Sequence, residues 1–386
     1  MIQSTRLSVV MLYRPALAGI CTLVLLTAPQ TVFGRERLLR IHSPTEVYTG
    51  KIVSLSKARC TLMDRQGRLI DLDVSKLKRM ECLADRYKPA SVATFRSELT
   101  EEFGRRYEVS GTTHYLVCAP RGHAERYAAF FEHIYRDVEE FYRVRGFRIV
   151  KPDVPLVAVV FGTQNEFFRY CVRDKVPPRA GLMGYYSLVS NRVALFDADD
   201  SFRFAAAETR SGNSALVGLS GITGQTASTM VHETIHQVGY NIGIHKRLGE
   251  TPLWMVEGMA TVLEPSGMRD RRNRQASSQR VNPERSDWFR NRYRPQRPAG
   301  SLAELIATDS LFQRQTLSAY SEAWALTFFL LENPSRRRQL ATYLRKLSER
   351  DVTENYPAKH RLADFQSVFG DIARVEIEFL RYMDRL

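Results

Sequence analysis

Cysteine is scarce in this chain: only five of 386 residues are cysteine, and no two are spaced as a Cys-x-x-Cys pair. The absence of such a pair excludes a zinc site built from paired thiolates. The sequence also shows no internal repeat. Its N-terminal apolar run, at about 14 residues, is short for a transmembrane helix, which needs about 20. The sequence therefore predicts neither a zinc site made of cysteine thiolates nor an ordinary transmembrane helix.

The first 34 residues have the order of a secretory signal peptide. Arg6 and Arg14 flank the start of the apolar run, and Val32 and Gly34 are small enough to suit cleavage after Gly34. A basic start, an apolar centre and small residues at the end define such a signal. We therefore predict an exported protein, in the periplasm, the cell envelope or the extracellular space. An uncleaved membrane anchor is the alternative.

Removal of residues 1–34 would leave four cysteines, Cys60, Cys82, Cys118 and Cys171. An oxidising compartment permits two disulfides. Proximity along the chain favours Cys60 with Cys82 and Cys118 with Cys171. Four buried free thiols are the other interpretation, and the sequence does not choose between them.

Acidic residues are fewer than basic ones, 42 against 56, and the formal net charge is +14. The excess is densest in residues 266–300, where ten arginines face three acidic residues and are interleaved with Trp288, Phe289 and Tyr293. Arginines with aromatic residues could bind nucleic acid or another polyanion. Export argues against nucleic acid, and the prolines of this segment suit a surface loop. We expect a solvated basic loop, with an acidic envelope or cell-wall polymer as its candidate partner.

Residues 232–236 read His-Glu-Thr-Ile-His, inside a segment whose apolar residues recur with nearly a 3.6-residue period. The pattern predicts a helix from about residue 228 to 243. Residues i and i+4 share a helix face, so His232 and His236 would point to one place. Two such imidazoles with Glu233 beside them are typical of a zinc site with a built-in general base. Two histidines that merely line a helix surface are the alternative.

A catalytic zinc needs a third protein ligand and one open position. Residues 252–263 predict a second helix, which Pro252 suits as a start, and Glu257 lies within its apolar sequence. A buried carboxylate is costly unless it is paired or binds metal. We therefore predict Glu257 as the third ligand, with Glu264 as an outer partner and His245 as a weaker candidate. A Glu257 that faces solvent or caps its neighbours is the other interpretation.

The motifs HETIH and WMVEGMA resemble those of the gluzincin clan of zinc metallopeptidases, which have HExxH on one helix and the glutamate of W-x-x-E-G-x-A on the next. The chain more closely resembles the DUF1570 family of peptidase-MA-like bacterial proteins, from about residue 93 to the C-terminus. Supporting segments read FGRRYEVSGTTHYLV, YAAFFEHIYRDVEEFYRVRG, GYYS and DFQSVFGDIARVEIEFLRYM. Residues 38–85 resemble the SHD1 module, an SH3-like barrel, without the tryptophan usual near its start.

The resemblance implies a role for each site residue. His232, His236 and Glu257 would hold Zn²⁺, and Glu233 would be the general base in peptide-bond hydrolysis. Tyr320 precedes an apolar helix and resembles the tyrosine that stabilises the oxyanion in aminopeptidase-type gluzincins. A core tyrosine at a helix start is the alternative for Tyr320.

The segment MGYYSLVSNRVALFD resembles the edge strand that precedes the active-site helix in this clan. Such a strand can bind an extended substrate by backbone pairing. Tyr185 or Tyr186 would then line the cleft, or both would be ordinary strand residues.

Together these segments predict an α+β chain with four parts. The parts are a signal peptide at 1–34, a small SH3-like β domain at 38–85, a linker at 86–100 and a gluzincin-like zinc peptidase domain at 101–386. The peptidase domain would combine an N-terminal sheet, an active-site helix and a C-terminal helical lobe. Further expectations are strands at 46–55, 59–64, 68–74, 106–119, 154–162 and 182–197, helices at 122–145 and 165–172, a loop at 211–224, and mostly helix after 302.

Two functions fit this sequence. The first is an exported zinc metallopeptidase, either an endopeptidase or an aminopeptidase, that acts on a peptide or protein substrate. The second is a catalytically inactive scaffold that binds an envelope polymer or a protein partner through the β domain and the basic loop. The intact set of two histidines and two glutamates favours the first, because a binding protein has no need to retain Glu233.

Overall fold

A computed structural model describes residues 37–197, 224–270 and 277–386. It confirms the α+β class, with sheet in the N-terminal region and helices in the C-terminal region. The predicted signal peptide and nearly all of the loop expected at 211–224 lie outside the described residues. Within these ranges no helix combines the length and the apolar character needed to cross a membrane.

The first sheet contains five antiparallel strands in the order β4-β3-β2-β1-β5. They are β1 Leu38–His42, β2 Val47–Leu55, β3 Arg59–Asp64, β4 Leu69–Asp73 and β5 Arg79–Ala84, with a 3-10 turn at Val74–Lys76. Strands β1 and β5 go beyond the three that the sequence predicts. A tight turn joins β3 to β4: Gly67 has a φ of +80°, which glycine adopts readily, and Oδ1 of Asp64 accepts the N–H groups of Gln66 and Arg68.

The turn between β3 and β4 docks this sheet onto the rest of the chain. The N–H of Leu69 donates to the carbonyl of Val189 at 2.8 Å. The guanidinium of Arg247 donates to the carbonyls of Gly67 at 2.8 Å and Leu188 at 2.6 Å. Arg247 lies in the connection between the two helices that carry the candidate metal ligands. The small β domain is therefore held against the neighbourhood of the candidate site.

Replacing Arg247 by alanine is expected to lower the free energy of unfolding by about 2 kcal/mol, because the carbonyls of Gly67, Leu188 and Val189 lose a charged donor. Urea denaturation of the whole chain measures the change. Arg68→Ala is the matched control, since this arginine occupies the same turn with a side chain that is 43% exposed. Equal losses in the two variants would show that the docking contact contributes nothing specific.

The second sheet has the order β6-β7-β8-β10-β9, with β7, β8 and β10 parallel and the edge strands β6 and β9 antiparallel. Its strands are β6 Tyr107–Gly111, β7 Tyr115–Pro120, β8 Leu156–Phe161, β9 Gly184–Tyr186 and β10 Arg192–Phe196. Alternate residues of β8 enter two different cores, Leu156 on one face and Val157 on the other. Burial on both faces explains why this strand is a continuous apolar run.

Three helices accompany this sheet: α1 Val92–Phe103, α2 Ala124–Val144 and α3 Gln164–Arg173. Helix α2 packs on one face of the sheet, while Phe95 and Leu99 of α1 enter the core on the other. Residues 86–100, expected to be a linker, thus contain most of an ordered helix. The single strand expected at 106–119 is a hairpin of β6 and β7.

The C-terminal region is helical, as predicted. Its helices are α4 Gly224–Asn241, α5 Leu253–Leu263, α6 Ser266–Arg269, α7 Ser277–Arg280, α8 Pro283–Asp287, α9 Ser301–Ala307, α10 Ser310–Arg314, α11 Thr316–Glu332, α12 Pro334–Glu349, α13 Ala358–Phe369 and α14 Ile372–Met383. Helices α5 and α11 cross closely at Gly258, where an added Cβ would lie 2.2 Å from Oγ1 of Thr327 and 2.7 Å from the carbonyl of Ala323. The glycine therefore lets Glu257 approach the helix that carries Tyr320.

The described parts of the basic segment, residues 266–270 and 277–300, are not the solvated loop that the composition predicts. Besides α6, α7 and α8 they form a π-helical turn at Trp288–Tyr293 and a 3-10 turn at Arg294–Gln296. Phe289 and Tyr293 are 1% exposed and belong to the main core. Arg280 pairs with Glu332 at 2.7 Å, Arg297 pairs with Glu322 and Glu376 at 2.5 and 2.6 Å, and Arg269 and Arg285 are buried. A polyanion partner for this segment stays a prediction.

The four described cysteines are free thiols, so neither expected disulfide forms. Cys60, Cys118 and Cys171 are buried, and burial raises the pKa of the Cys118 thiol to about 12. Cys82 lies exposed on β5. The free-thiol interpretation therefore holds, with one of the four at the surface.

Candidate metal centre

Helix α4 presents His232 and His236 to the same point, as their spacing predicts. Both side chains are 1% exposed. Their rings are nearly perpendicular, with an interplanar angle of 87°, and their Nε2 atoms lie 3.1 Å apart. The helix ends before Gly243, whose φ of +86° reverses the chain toward α5.

Helix α5 brings Glu257 over the two imidazoles. Its Oε2 atom lies 3.5 Å from Nε2 of His232 and 3.4 Å from Nε2 of His236. Glu257 is 2% exposed, and Oε2 has no hydrogen-bond partner among the residues that the structure describes. The N–H of Leu253 donates to Oδ1 of Asp309 at 3.1 Å, which fixes the start of this helix. The interpretation of Glu257 as a solvent-facing residue is therefore wrong.

The three ligand atoms have the spacing of a metal site. Atoms bound tetrahedrally at zinc distances lie about 3.3–3.4 Å from one another. The observed separations among His232, His236 and Glu257 are 3.1, 3.4 and 3.5 Å. Two imidazoles and a carboxylate suit zinc and similar divalent ions, whereas Mg²⁺ and Ca²⁺ prefer oxygen ligands. This buried group can therefore bind a metal ion, and three protein ligands leave one position open.

Charge reinforces the grouping. Burial alone would lower the pKa of His232, but the nearby carboxylate of Glu257 and the hydrogen bond to Glu264 raise it to about 10. Burial alone would raise the pKa of Glu257, but the imidazoles of His236 and His232, 3.4 and 3.5 Å from Oε2, hold it well below its usual range. Glu257 therefore stays a carboxylate, the form that binds metal.

An outer layer of polar groups orients His232. Nδ1 of His232 donates to Oε1 of Glu264 at 2.7 Å, which leaves Nε2 directed at the centre of the group. Oε2 of Glu264 accepts from Nδ2 of Asn282 at 2.7 Å, and Nδ2 also donates to the carbonyl of Thr261 at 3.1 Å. A carboxylate behind a ligating histidine is the usual arrangement in metal sites. The structure thus places Glu264 where the sequence predicts an outer partner.

Glu233 is held against the edge strand. Its Oε2 accepts the N–H of Tyr186 at 2.9 Å, and the side chain is 1% exposed. Close approach of strand and helix depends on Gly184, because a Cβ there would lie 2.9 Å from Cγ2 of Thr229. A backbone donor therefore fixes the orientation of the Glu233 carboxylate.

Tyr320 lies on helix α11, close enough to Glu257 and Glu233 for their charges to act on its hydroxyl. Burial, followed by the negative charge of Glu257, raises the pKa of Tyr320 well above its usual range. Its hydroxyl is buried and has no hydrogen-bond partner of good geometry among the described residues. Tyr320 is therefore a protonated donor beside the metal group.

Residues 226–354 match the family model described as "Protein of unknown function (DUF1570)". This match supports the resemblance of the chain to the DUF1570 family. The matched segment contains His232, His236, Glu257 and Tyr320. No curated protein matches the chain. The description of the DUF1570 model assigns no activity, so the function must be argued from the geometry of the site.

Tyr185 and Tyr186, which precede the segment that matches the family model, have buried side chains. The hydroxyl of Tyr185 donates to Oδ2 of Asp174 at 2.9 Å, and that of Tyr186 donates to Oδ1 of Asn191 at 2.7 Å. Both residues are 2% exposed. This placement favours the second interpretation, ordinary strand residues, over side chains that line a cleft. Tyr186 reaches the site through its backbone alone.

His245 lies near the metal group but is not one of its three members. Its ring centroid is 5.2 Å from that of Tyr240. Burial, followed by the charge of His236, lowers the pKa of His245 to about 3. The structure therefore makes Glu257, rather than His245, the third member of the group.

Three polar residues near the metal group are not predicted from the sequence: Tyr240, Asn282 and Arg285. Tyr240 follows His236 by four residues, so the helical period that pairs the histidines could have found it. Asn282 precedes Pro283 and caps α8, a pattern typical of a helix start. Arg285 is hidden among the other arginines of residues 266–300, and no local signal separates it from them.

Replacing Glu264 by glutamine is expected to weaken zinc binding by about 10–100-fold, because His232 loses a charged orienting partner. Competition with a chromophoric chelator measures the dissociation constant. Glu304→Gln is the control, since Glu304 lies on α9 and pairs with Arg314 rather than with a ligand. An unchanged dissociation constant in Glu264→Gln would remove this residue from the metal centre.

Proposed function

We propose that this protein is a zinc-dependent peptidase. One observation carries the proposal: the buried triangle of His232, His236 and Glu257, with separations of 3.1–3.5 Å. Glu233 lies beside this triangle and contributes to the charge felt by His232. The donor set and the open fourth position suit a hydrolytic zinc site. The predicted signal peptide supports action outside the cytoplasm.

Each polar group then has a defined task. Bound zinc supplies the Lewis-acid chemistry that makes water nucleophilic near neutral pH. Glu233 accepts the proton of the attacking water and passes it to the leaving amine. The N–H of Tyr186 keeps that carboxylate in position, and Glu264 keeps the ring of His232 in position.

Tyr320 is suited to stabilise negative charge on the substrate. Its proton stays in place because burial and Glu257 raise its pKa. Its hydroxyl, which has no hydrogen-bond partner of good geometry among the described residues, can donate to the carbonyl oxygen as that oxygen becomes negative. Strand β9, at the edge of the sheet and beside Glu233, suits an extended peptide that pairs through its backbone.

The alternative function, an inactive scaffold, relies on the β domain and the basic segment as binding surfaces. The β3–β4 turn of that domain is engaged by Arg247 and Val189. Several arginines of the basic segment are buried or paired with glutamates. These contacts leave less free surface than the sequence suggests, so the peptidase proposal is favoured.

The test is hydrolysis of a mixed peptide pool by the chain without residues 1–34, followed by mass spectrometry. We expect cleavage that disappears after dialysis against a chelator and returns with about one equivalent of zinc. Cleavage that persists after complete metal removal would contradict the zinc mechanism. A zinc-loaded protein that cleaves no peptide would favour the scaffold.

A further inference from the structure

Arg285 is a buried cation beside the proposed catalytic centre. Its side chain is 3% exposed, and its guanidinium carbon lies 5.3 Å from the ring centroid of Tyr320. Nε is buried and has no hydrogen-bond partner among the described residues. Its carboxylate neighbour is Glu284, at 3.5 Å and itself 54% exposed. Such a weak pairing does little to offset the cost of burying a guanidinium.

The position of Arg285 is fixed by the same groups that orient the metal ligands. The backbone N–H of Arg285 donates to Oδ1 of Asn282 at 3.2 Å. Nδ2 of Asn282 donates to Glu264, which in turn binds His232. The backbone of Arg285 is therefore held at a set place relative to the candidate metal centre, and its side chain is buried there, as expected for a substrate contact rather than for a solvated surface charge.

The distance to the site limits what Arg285 can reach. The charges of Glu257 and Glu233 act on the hydroxyl of Tyr320, while the guanidinium carbon of Arg285 lies 5.3 Å from the ring centroid of the same tyrosine. An extended peptide covers about 3.3–3.6 Å per residue. A group bound by Arg285 would thus lie roughly two residues from a carbonyl held by Tyr320.

We propose that Arg285 binds a carboxylate of the peptide substrate within about two residues of the cleaved bond. The planar fork of a guanidinium matches a carboxylate in two parallel hydrogen bonds. The carboxylate is either the free C-terminus of the peptide or an aspartate or glutamate side chain. This inference rests on the proposed peptidase function and specifies its substrate class.

The test uses a peptide that the zinc-loaded wild-type protein cleaves, resynthesised in three forms. The first has a free C-terminus within two residues of the cleaved bond. The second is amidated there, and the third is amidated with a glutamate next to the cleaved bond. We expect kcat/KM for at least one carboxylate form to exceed that of the neutral form by about 10–100-fold. The preferred form identifies the source of the carboxylate.

Arg285→Gln is expected to bring the ratio between the forms close to one, mainly through a higher KM for the carboxylate form, while zinc content stays at the wild-type level. Arg285→Lys should retain part of the preference, because it keeps the charge without the fork. Arg290→Gln is the matched control, since Arg290 is exposed on the next turn of the same segment. This control should keep the wild-type ratio.

Two outcomes separate this inference from the proposed function. Equal kcat/KM for all three forms in the wild-type protein would overturn the carboxylate contact and leave the peptidase in place. An unchanged preference in Arg285→Gln would overturn it as well. Absence of cleavage of any peptide by the zinc-loaded wild-type protein would overturn the peptidase proposal and the inference together.

Discussion

Replacing Glu233 by glutamine is expected to lower kcat by about 10²–10⁴-fold, the usual contribution of a general base, and to leave zinc content unchanged. The amide oxygen can still accept the N–H of Tyr186, which now donates to Oε2 at 2.9 Å. The amide cannot take a proton from water. Steady-state kinetics and elemental analysis of the same preparation measure the two quantities.

Glu108→Gln is the matched control for this variant. Oε1 of Glu108 also accepts backbone N–H groups, from Gly122 at 2.8 Å and Ala124 at 3.2 Å, and Glu108 lies on β6, at the opposite edge of the sheet from β9. Its activity should equal that of the wild type. If Glu233→Gln lost its zinc, Glu233 would be a ligand rather than a base, and retained activity would remove it from the mechanism.

Replacing His236 by alanine should weaken zinc binding by more than about 100-fold, beyond the loss expected for an outer partner. Two ligands would remain, His232 and Glu257, and two protein ligands do not make the three-ligand set of a catalytic zinc site. Hydrolysis should fall to background because the open position disappears with the metal. Competition titration with a chelator gives the affinity.

His133→Ala controls for the loss of an imidazole, since the side chain of His133 is 48% exposed on α2 and pairs with Asp137. This variant should bind zinc like the wild type. Wild-type zinc affinity in His236→Ala would show that His236 does not bind the metal, whatever its effect on folding.

The core of the site can be predicted from local sequence because each member carries a local signal. The helical period sets His232 and His236 on one face. Glu257 stands out as a single carboxylate in an apolar helix. The structure brings these three within 3.5 Å of one another, so two short motifs and the loop between them predict the geometry.

Other parts depend on contacts between residues distant in sequence. Arg280 and Arg297 are neutralised by Glu332 and Glu322, which come from helix α11. Composition alone counts these arginines as free charge and therefore predicts a solvated loop. The same limit hides Arg285, because its environment is set by Tyr320, 35 residues later.

Short or weakly patterned elements account for the remaining differences in the fold. Strand β5 is mostly exposed along its length, so it lacks the alternation that marks a half-buried strand. Helix α1 buries only Phe95 and Leu99, an i, i+4 pair too small to distinguish a helix from a linker. A helix-start signal is nevertheless present in the sequence at Ser91, whose side-chain oxygen caps that helix by accepting the backbone N–H of Thr94.

Elemental analysis of the purified wild-type chain without residues 1–34 tests the central claim most directly. The triangle formed by His232, His236 and Glu257 predicts about one zinc ion per chain, and a Glu257→Gln preparation analysed alongside should contain much less. A metal-free chain that fails to take up zinc on titration would contradict the account. Equal zinc in the two preparations would contradict it too, because the metal would then lie elsewhere.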